Sequence, residues 1–166
     1  MTKLKRRLRE GAVMVLLIVA VTSGMDFLRA PQAPANFGNQ ALQTLEGQRL
    51  TLLEQSQQRP LLVYFWATWC GICKMTTPGV ATLAQEGGNV ITVALRSGDA
   101  AKIQQYLTAK HFVMPVVNDP RGEISSQWDV GVTPTFVIIS KGEVVSSTTG
   151  WTSSWGLKAR LWWAGL

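Results

Sequence analysis

The chain has 166 residues, enough for one domain and an appendage. Its 46% hydrophobic and 16% charged content suits a globular domain with a membrane segment. The net charge of +6 is concentrated at the start, where Lys3, Lys5, Arg6, Arg7 and Arg9 face only Glu10, and no basic stripe follows, which excludes nucleic acid as an expected partner.

Residues 1–10 read as a basic leader. Gly11 to Met25 is fifteen residues without a charge, ended by Asp26. At about 1.5 Å per residue that run covers roughly 22 Å, against a hydrocarbon core of about 30 Å. Extension to Leu28 lengthens it, with Asp26 near the far interface. Residues 11–28 are therefore a transmembrane anchor or a signal segment, because a basic stretch before a short apolar core also describes a secretory signal. Val21-Thr22-Ser23 is a passable cleavage site. Both readings leave the leader in the cytoplasm and the rest across the membrane. Residues 29–39, with Pro31, Pro34 and small residues, read as an extended tether. Residues 40–166 hold the domain.

Within it, Gln40–Thr44 and Arg49–Leu53 flank Glu46-Gly47 as a short hairpin, and polar Glu54–Arg59 reads as a loop. Leu61-Leu62-Val63-Tyr64-Phe65-Trp66, bounded by Pro60, is an apolar β-forming run, hence a buried central strand. After Cys73, residues Val80, Leu83 and Ala84 recur at helical spacing, with Pro78 expected to kink the helix and Gly87-Gly88-Asn89 to stop it. Val90–Leu95 is a second strand. Asp99 can cap a helix from Ala100 to about Lys110. Val113 and Val116-Val117 suggest a short strand near Pro115, Asn118–Gly122 a turn, and Ile124 to Trp128 a short helix. Thr135–Ser140 and Val144–Thr149 pair around Lys141-Gly142. A last helix runs from about Ser153 to Trp163, capped by Thr152, Ser153 or Ser154, with Trp155, Leu157, Leu161 and Trp162 to pack. The other late tryptophans, Trp128, Trp151 and Trp163, are also expected to pack. This order of elements fits an α/β sandwich with a mixed sheet.

Cys70 and Cys73 are the only cysteines. They stand where a strand ends and a helix begins, and the free N–H groups and partial positive charge of a helix N-terminus favour a thiolate. A Cys-x-x-Cys pair there is a redox site, with Cys70, at the exposed end of the helix, the candidate nucleophile and Cys73, one turn inward, the resolving thiol. Two cysteines cannot staple an exported domain of this size, and a zinc site would need further ligands. No metal and no cofactor are expected. Trp69 reads as an apolar docking surface beside Cys70, Trp66 as core, Lys74 as a solvated side chain that can assist the thiolate, and His111 as structural or superficial.

Phe65-Trp66-Ala67-Thr68-Trp69-Cys70-Gly71-Ile72-Cys73, with the later Val132-Thr133-Pro134-Thr135, resembles the active-site segments of the thioredoxin superfamily. Leu42–Leu52 is similar to the opening hairpin of its membrane-tethered TlpA/ResA-like branch, and within that branch the chain resembles the suppressors of copper sensitivity. The resemblance implies a thioredoxin fold, a central mixed β-sheet flanked by helices, from about Gln40 to Trp163. It implies a redox disulfide Cys70–Cys73 and a cis Thr133–Pro134 bond facing it. Thr133, Trp69, Gly71 and Ile72 would then contact the substrate. It further implies a single-pass protein of the bacterial inner membrane with its catalytic domain in the periplasm. Protein thiols and disulfides would be substrates, a transmembrane thiol reductase the electron donor, and copper tolerance the physiological link. A Cu(I)-binding protein using the cysteine pair and a thiol reductase of cytochrome c maturation are the alternatives. One departure stands out. The superfamily commonly carries an acidic residue where this chain has Tyr64, and Thr76 also lacks the carboxylate of some tethered relatives. No proton shuttle for Cys73 follows from the sequence, although Asp99 or Glu123 could approach from another segment.

Overall fold

The computed structural model describes residues 2–28 and 30–166; Met1 of the leader and Arg29 of the tether, with the side chains of Thr2, Asp26 and Phe27, lie outside the described residues. Two units are present, one ending at Ala30 and the other running from Pro31 to Leu166.

The first unit is one helix, α1 (Thr2–Leu28). Its stretch Lys3–Met25, 23 residues, is long and apolar enough to cross a membrane, a test that an anchor and a signal sequence both pass.

The second unit begins with Pro31, which is buried, and a 3-10 turn at Phe37–Asn39. A hairpin of β1 (Ala41–Gln43) and β2 (Arg49–Thr51) follows. Next come α2 (Leu52–Ser56), β3 (Leu61–Trp66), α3 (Gly71–Gln85), β4 (Val90–Leu95) and α4 (Ala100–Lys110). The chain ends with β5 (Val116–Asp119), α5 (Glu123–Gln127), β6 (Thr135–Ser140), β7 (Glu143–Thr149) and α6 (Ser154–Ala164).

The main sheet has the order β5-β4-β3-β6-β7. Strands β3, β4 and β5 run parallel, whereas β6 and β7 are antiparallel additions on the other side of β3. Every residue of β3 is buried, as expected for the middle of a sheet covered on both faces. Its period of two divides the core. Leu62, Tyr64 and Trp66 face a cluster that includes Val80 of α3, Ile103 of α4 and Leu157 of α6. Leu61, Val63 and Phe65 face Leu42, Leu50, Leu52 and Trp128, with Phe37 packed against them. Burying each such large side chain stabilises by roughly 1.5–3 kcal/mol. The hairpin covers the β5 edge, where the Leu45 N–H donates to the Val116 carbonyl at 2.8 Å. Lys141 and Gly142 both adopt positive φ, at 53° and 82°, the conformation a tight two-residue hairpin turn needs.

Several sequence expectations need correction. Leu52–Ser56 is helical, where the polar stretch from Glu54 suggested a loop. Thr51 accepts from the Glu54 N–H at 3.3 Å while its hydroxyl reaches Glu54 Oε2 at 2.8 Å, and this closed capping pair starts the helix. Val113 lies outside β5 and is exposed, because pairing with β4 begins only at Val116. Asn118 and Asp119 extend that strand rather than forming its turn. Of the late tryptophans, only Trp128 is core; Trp151, Trp155, Trp162 and Trp163 are exposed. Helix α6 turns Leu157 inward, so residues two and five positions away point elsewhere.

Candidate active site

Strand β3 delivers the chain to Ala67-Thr68-Trp69, and the turn before Cys70 is braced from β4. The Thr68 N–H donates to Ser97 Oγ at 3.0 Å, and the Ser97 hydroxyl donates to the Leu95 carbonyl. Trp69 keeps its ring 61% exposed while its indole N–H donates to the Arg96 carbonyl at 3.1 Å. Arg96 adopts φ 44°, in the left-handed region, at this bend. The bracing role of Ser97 and Arg96 escaped the sequence, since nothing local joins them to a motif some thirty positions earlier.

Cys70 is the N-cap of α3, with extended backbone at φ −80° and ψ 117°. Its Sγ accepts from the Cys73 N–H at 3.1 Å. The two cysteines are joined as a disulfide, with Cα atoms 5.2 Å apart. Cys70 is 6% exposed and Cys73 1%, so Cys70 is the more accessible sulfur. The loop before β6 comes to the same place: the Thr133–Pro134 bond is cis, and Cys70 Sγ lies 3.5 Å from the Thr133 carbonyl oxygen. The Pro134 carbonyl is occupied by the Gly150 N–H at 2.9 Å, and the Thr135 hydroxyl holds the Val132 carbonyl at 2.7 Å. Gly71 and Ile72 are exposed, and a Cβ built on Gly71 meets nothing within 4 Å. Lys74 is exposed on the first turn of α3.

Beneath the pair lies a buried hydroxyl cluster. Tyr64 Oη is 3.0 Å from Thr76 Oγ1 and 2.9 Å from Thr77 Oγ1, and the Thr77 hydroxyl donates to the Cys73 carbonyl at 2.7 Å. Each hydroxyl has one proton to give. Thr77 gives its proton to Cys73, so Tyr64 donates to Thr77, and Thr76 donates to Tyr64. The phenol is the middle link of a chain of hydrogen bonds that runs from Thr76 through Tyr64 and Thr77 to the backbone carbonyl of the second cysteine. Burial pushes the Tyr64 pKa above its ordinary value of 10.0, against a smaller downward pull from the two threonines. Tyr64 therefore stays a neutral phenol at physiological pH. Asp99 is engaged elsewhere, capping α4 through the Lys102 N–H, and Glu123 pairs with Arg121 at 2.9 Å. Among the described residues there is no group of three or more His, Cys, Asp or Glu placed to hold a metal ion.

A dithiol pair at this junction suits the exchange of one disulfide for another. The molecule is a thioredoxin-like thiol–disulfide oxidoreductase. By descent the chain belongs to the AhpC/TSA family, whose profile matches residues 31–147. It is 44% identical to a thioredoxin-like protein of Haemophilus influenzae over 162 residues, covering 98% of this chain and 97% of that one. The thiol-disulfide oxidoreductase ResA of Bacillus subtilis is 28% identical, with 89% of this chain and 88% of ResA covered. Among solved structures, the exposed lipoprotein thioredoxin Etrx1 of Streptococcus pneumoniae superposes with a TM-score of 0.64 at 24% identity, over 74% of this chain and 96% of that one. That likeness is one of fold.

Proposed function

We propose that the chain is a membrane-anchored, periplasmic reductase of protein disulfides, with Cys70 as nucleophile and Cys73 as resolving thiol. The observation that carries the assignment is the position of Cys70 as N-cap, with the Cys73 N–H aimed at its Sγ at 3.1 Å. A donor so placed, together with the helix N-terminus, favours the thiolate at Cys70.

The Cys70 thiolate attacks one sulfur of a target disulfide. A Cys70–target bond forms, the target disulfide breaks, and the departing target thiolate takes up a proton. Cys73, as thiolate, then attacks Cys70 Sγ and expels the second target thiolate. The target gains two electrons and two protons, and the Cys70–Cys73 disulfide is left. A transmembrane thiol reductase returns the electrons in the reverse sequence. Trp69, Gly71, Ile72 and the Thr133 backbone form the docking rim for an extended target segment. Pro134, having no N–H, leaves no competing donor there.

The cellular placement rests on the basic residues in the first turns of α1 and on the positive-inside rule. The link to copper tolerance rests on the resemblance of the stretch from about Gln40 to Trp163 to the copper-sensitivity suppressors.

Trapping tests the roles. Cys73→Ser should accumulate mixed disulfides through Cys70, and Cys70→Ser should abolish exchange. If Cys73 alone is alkylated at neutral pH, the roles are reversed. A copper-sensitive deletion strain should be rescued by the wild-type chain and not by Cys70→Ser. Tight one-to-one Cu(I) binding without any disulfide exchange would replace the reductase with a copper carrier, and lost cytochrome c in that strain would make haem attachment its target.

A further inference from the structure

Helix α6 is apolar on two sides. Leu157 is 1% exposed in the core beneath the sheet, and Leu161 and Ala164 pack partly against the same cluster. At 3.6 residues per turn, Trp155 and Trp162 share an azimuth nearly opposite to these residues, and Trp163 lies one step further round. Their exposures are 83%, 67% and 73%, and Leu166 beyond the helix is 82% exposed. Three indole rings left this open amount to an apolar patch on the order of 400–500 Å², more than scattered surface residues produce.

The patch is remote from the cysteines. Helix α6 begins beside Gly79, midway along α3, where a Cβ would overlap Ser154 Oγ. It runs toward the end of α3, where Lys158 pairs with Glu86 at 2.7 Å, and finishes with Gly165 beside Pro60. Pro60 precedes β3 and Cys70 follows it, so the six residues of the strand, roughly 20 Å, separate the two ends. Target docking at Cys70 does not account for Trp162, Trp163 or Leu166.

The chemistry of the face fits a lipid–water boundary. Indole joins a large apolar ring to one N–H donor and concentrates where acyl chains meet acceptor-rich headgroups. Arg160 and Lys158 flank the rings, Lys158 sharing its charge with Glu86, and Val144 to Leu166 contains no Asp or Glu, so the segment places no negative charge of its own against an anionic surface. The same chain carries a helix long and apolar enough to cross a membrane. We propose that the outward face of α6, formed by Trp155, Trp162 and Trp163 with Leu166, seats in the headgroup region of a phospholipid bilayer.

Fluorescence separates this contact from anchoring, because residues 1–30 contain no tryptophan. The full chain is reconstituted into vesicles of brominated phosphatidylcholine with phosphatidylglycerol, and its tryptophan emission is compared with that in unbrominated vesicles. Insertion of α1 alone quenches nothing. The proposal expects quenching of the share emitted by three of the seven tryptophans. That quenching should vanish in W155S/W162S/W163S and persist in W69F/W151F. The readout needs no redox activity, so it stands or falls apart from the reductase reading. An unquenched wild-type chain overturns the proposal without recourse to any variant. So does quenching that the triple variant keeps and W69F/W151F loses. A concentration-dependent dimer that the triple variant dissociates, with no lipid quenching, would overturn it in favour of a second copy of the chain.

Discussion

Replacing Tyr64 by Phe isolates the hydroxyl cluster under the second cysteine. The ring stays, and with it the stacking on Phe136 at 4.8 Å and the contact with Trp66 at 6.5 Å. Two hydrogen bonds go, those to Thr76 and Thr77. Thr77 keeps its donation to the Cys73 carbonyl, and Thr76 retains carbonyl acceptors of Ile72 and Cys73 at 3.4 Å, so no buried proton is stranded. At a net value of about 1 kcal/mol per bond, Tyr64→Phe should cost about 2 kcal/mol. For a chain of this size that lowers Tm by about 4–8 °C. The pH dependence gives a second arm. Tyr64 titrates above its unfolded value of 10.0 in the folded protein, so the fold holds its proton where the unfolded chain releases it. That contribution to stability is whole below pH 10 and is lost as pH rises from 10 toward the raised folded value. The gap between wild type and Tyr64→Phe should therefore narrow above pH 10. Urea unfolding of the oxidised proteins at pH 8 and across the alkaline range measures both quantities. The difference between the two proteins cancels Tyr106, whose pKa is also raised by burial. A variant as stable as wild type at pH 8, or a gap that widens above pH 10, would refute the network as drawn.

Gly71 and Ile72 offer the nucleophile neither a side-chain donor nor a charge, so the reduction potential should lie below about −180 mV, and equilibration with glutathione giving a value near −120 mV would make the protein an oxidant instead. Thr51→Ala should cost about 1 kcal/mol by opening the cap of α2, with thermal unfolding as the check and no change as the contrary result. Asp119, 2% exposed, accepts from the Ile124 N–H, the Ser125 N–H and the Ser125 hydroxyl. Asp119→Ala should cost about 3 kcal/mol in denaturant unfolding, and a loss under 1 kcal/mol would mean that water replaces the carboxylate.

The elements that the sequence makes legible are those whose signals are local. A six-residue apolar run behind Pro60 reads as an inner strand; Thr135–Ser140 repeats the pattern behind Pro134, and Val90–Leu95 repeats it without a proline. Asp99 announces α4 because a cap acts within one turn. The cap of α2 is equally local, as Thr51-x-x-Glu54, but the polar residues after it masked a helix of one turn and a half. The cysteine pair is legible for the same reason as the strands: its environment is set by residues adjoining it. The hydroxyl cluster is not, because Tyr64 meets Thr76 and Thr77 only when β3 lies under α3, and no spacing of twelve or thirteen implies that contact. Ser97 and Arg96 reach the active-site turn by the same route, through parallel pairing of β3 with β4.

The tryptophans of α6 illustrate a different limit. Trp155 and Leu157 are two positions apart, and on a helix such a pair cannot face the same neighbour. Expecting both to pack on the sheet ignored that geometry, and the period alone would have split the helix into an indole face and an aliphatic face. It could not have told which face the sheet takes. That choice is made at the crossing with α3, where Gly79 is so close that a Cβ there would already overlap Ser154 Oγ. An approach this tight accepts Leu157, with Leu161 and Ala164 alongside, and leaves no room for an indole ring. The small face goes inward because the helices must meet at glycine, and the three indoles are turned outward as a consequence. Exposure of that much aromatic surface is unfavourable in water, since each ring is worth roughly 1.5–3 kcal/mol when buried. A sequence that needed only a covered sheet could have placed polar residues at 155, 162 and 163 at no cost to the core. That it carries tryptophan at all three positions is the physical reason to look for what covers them.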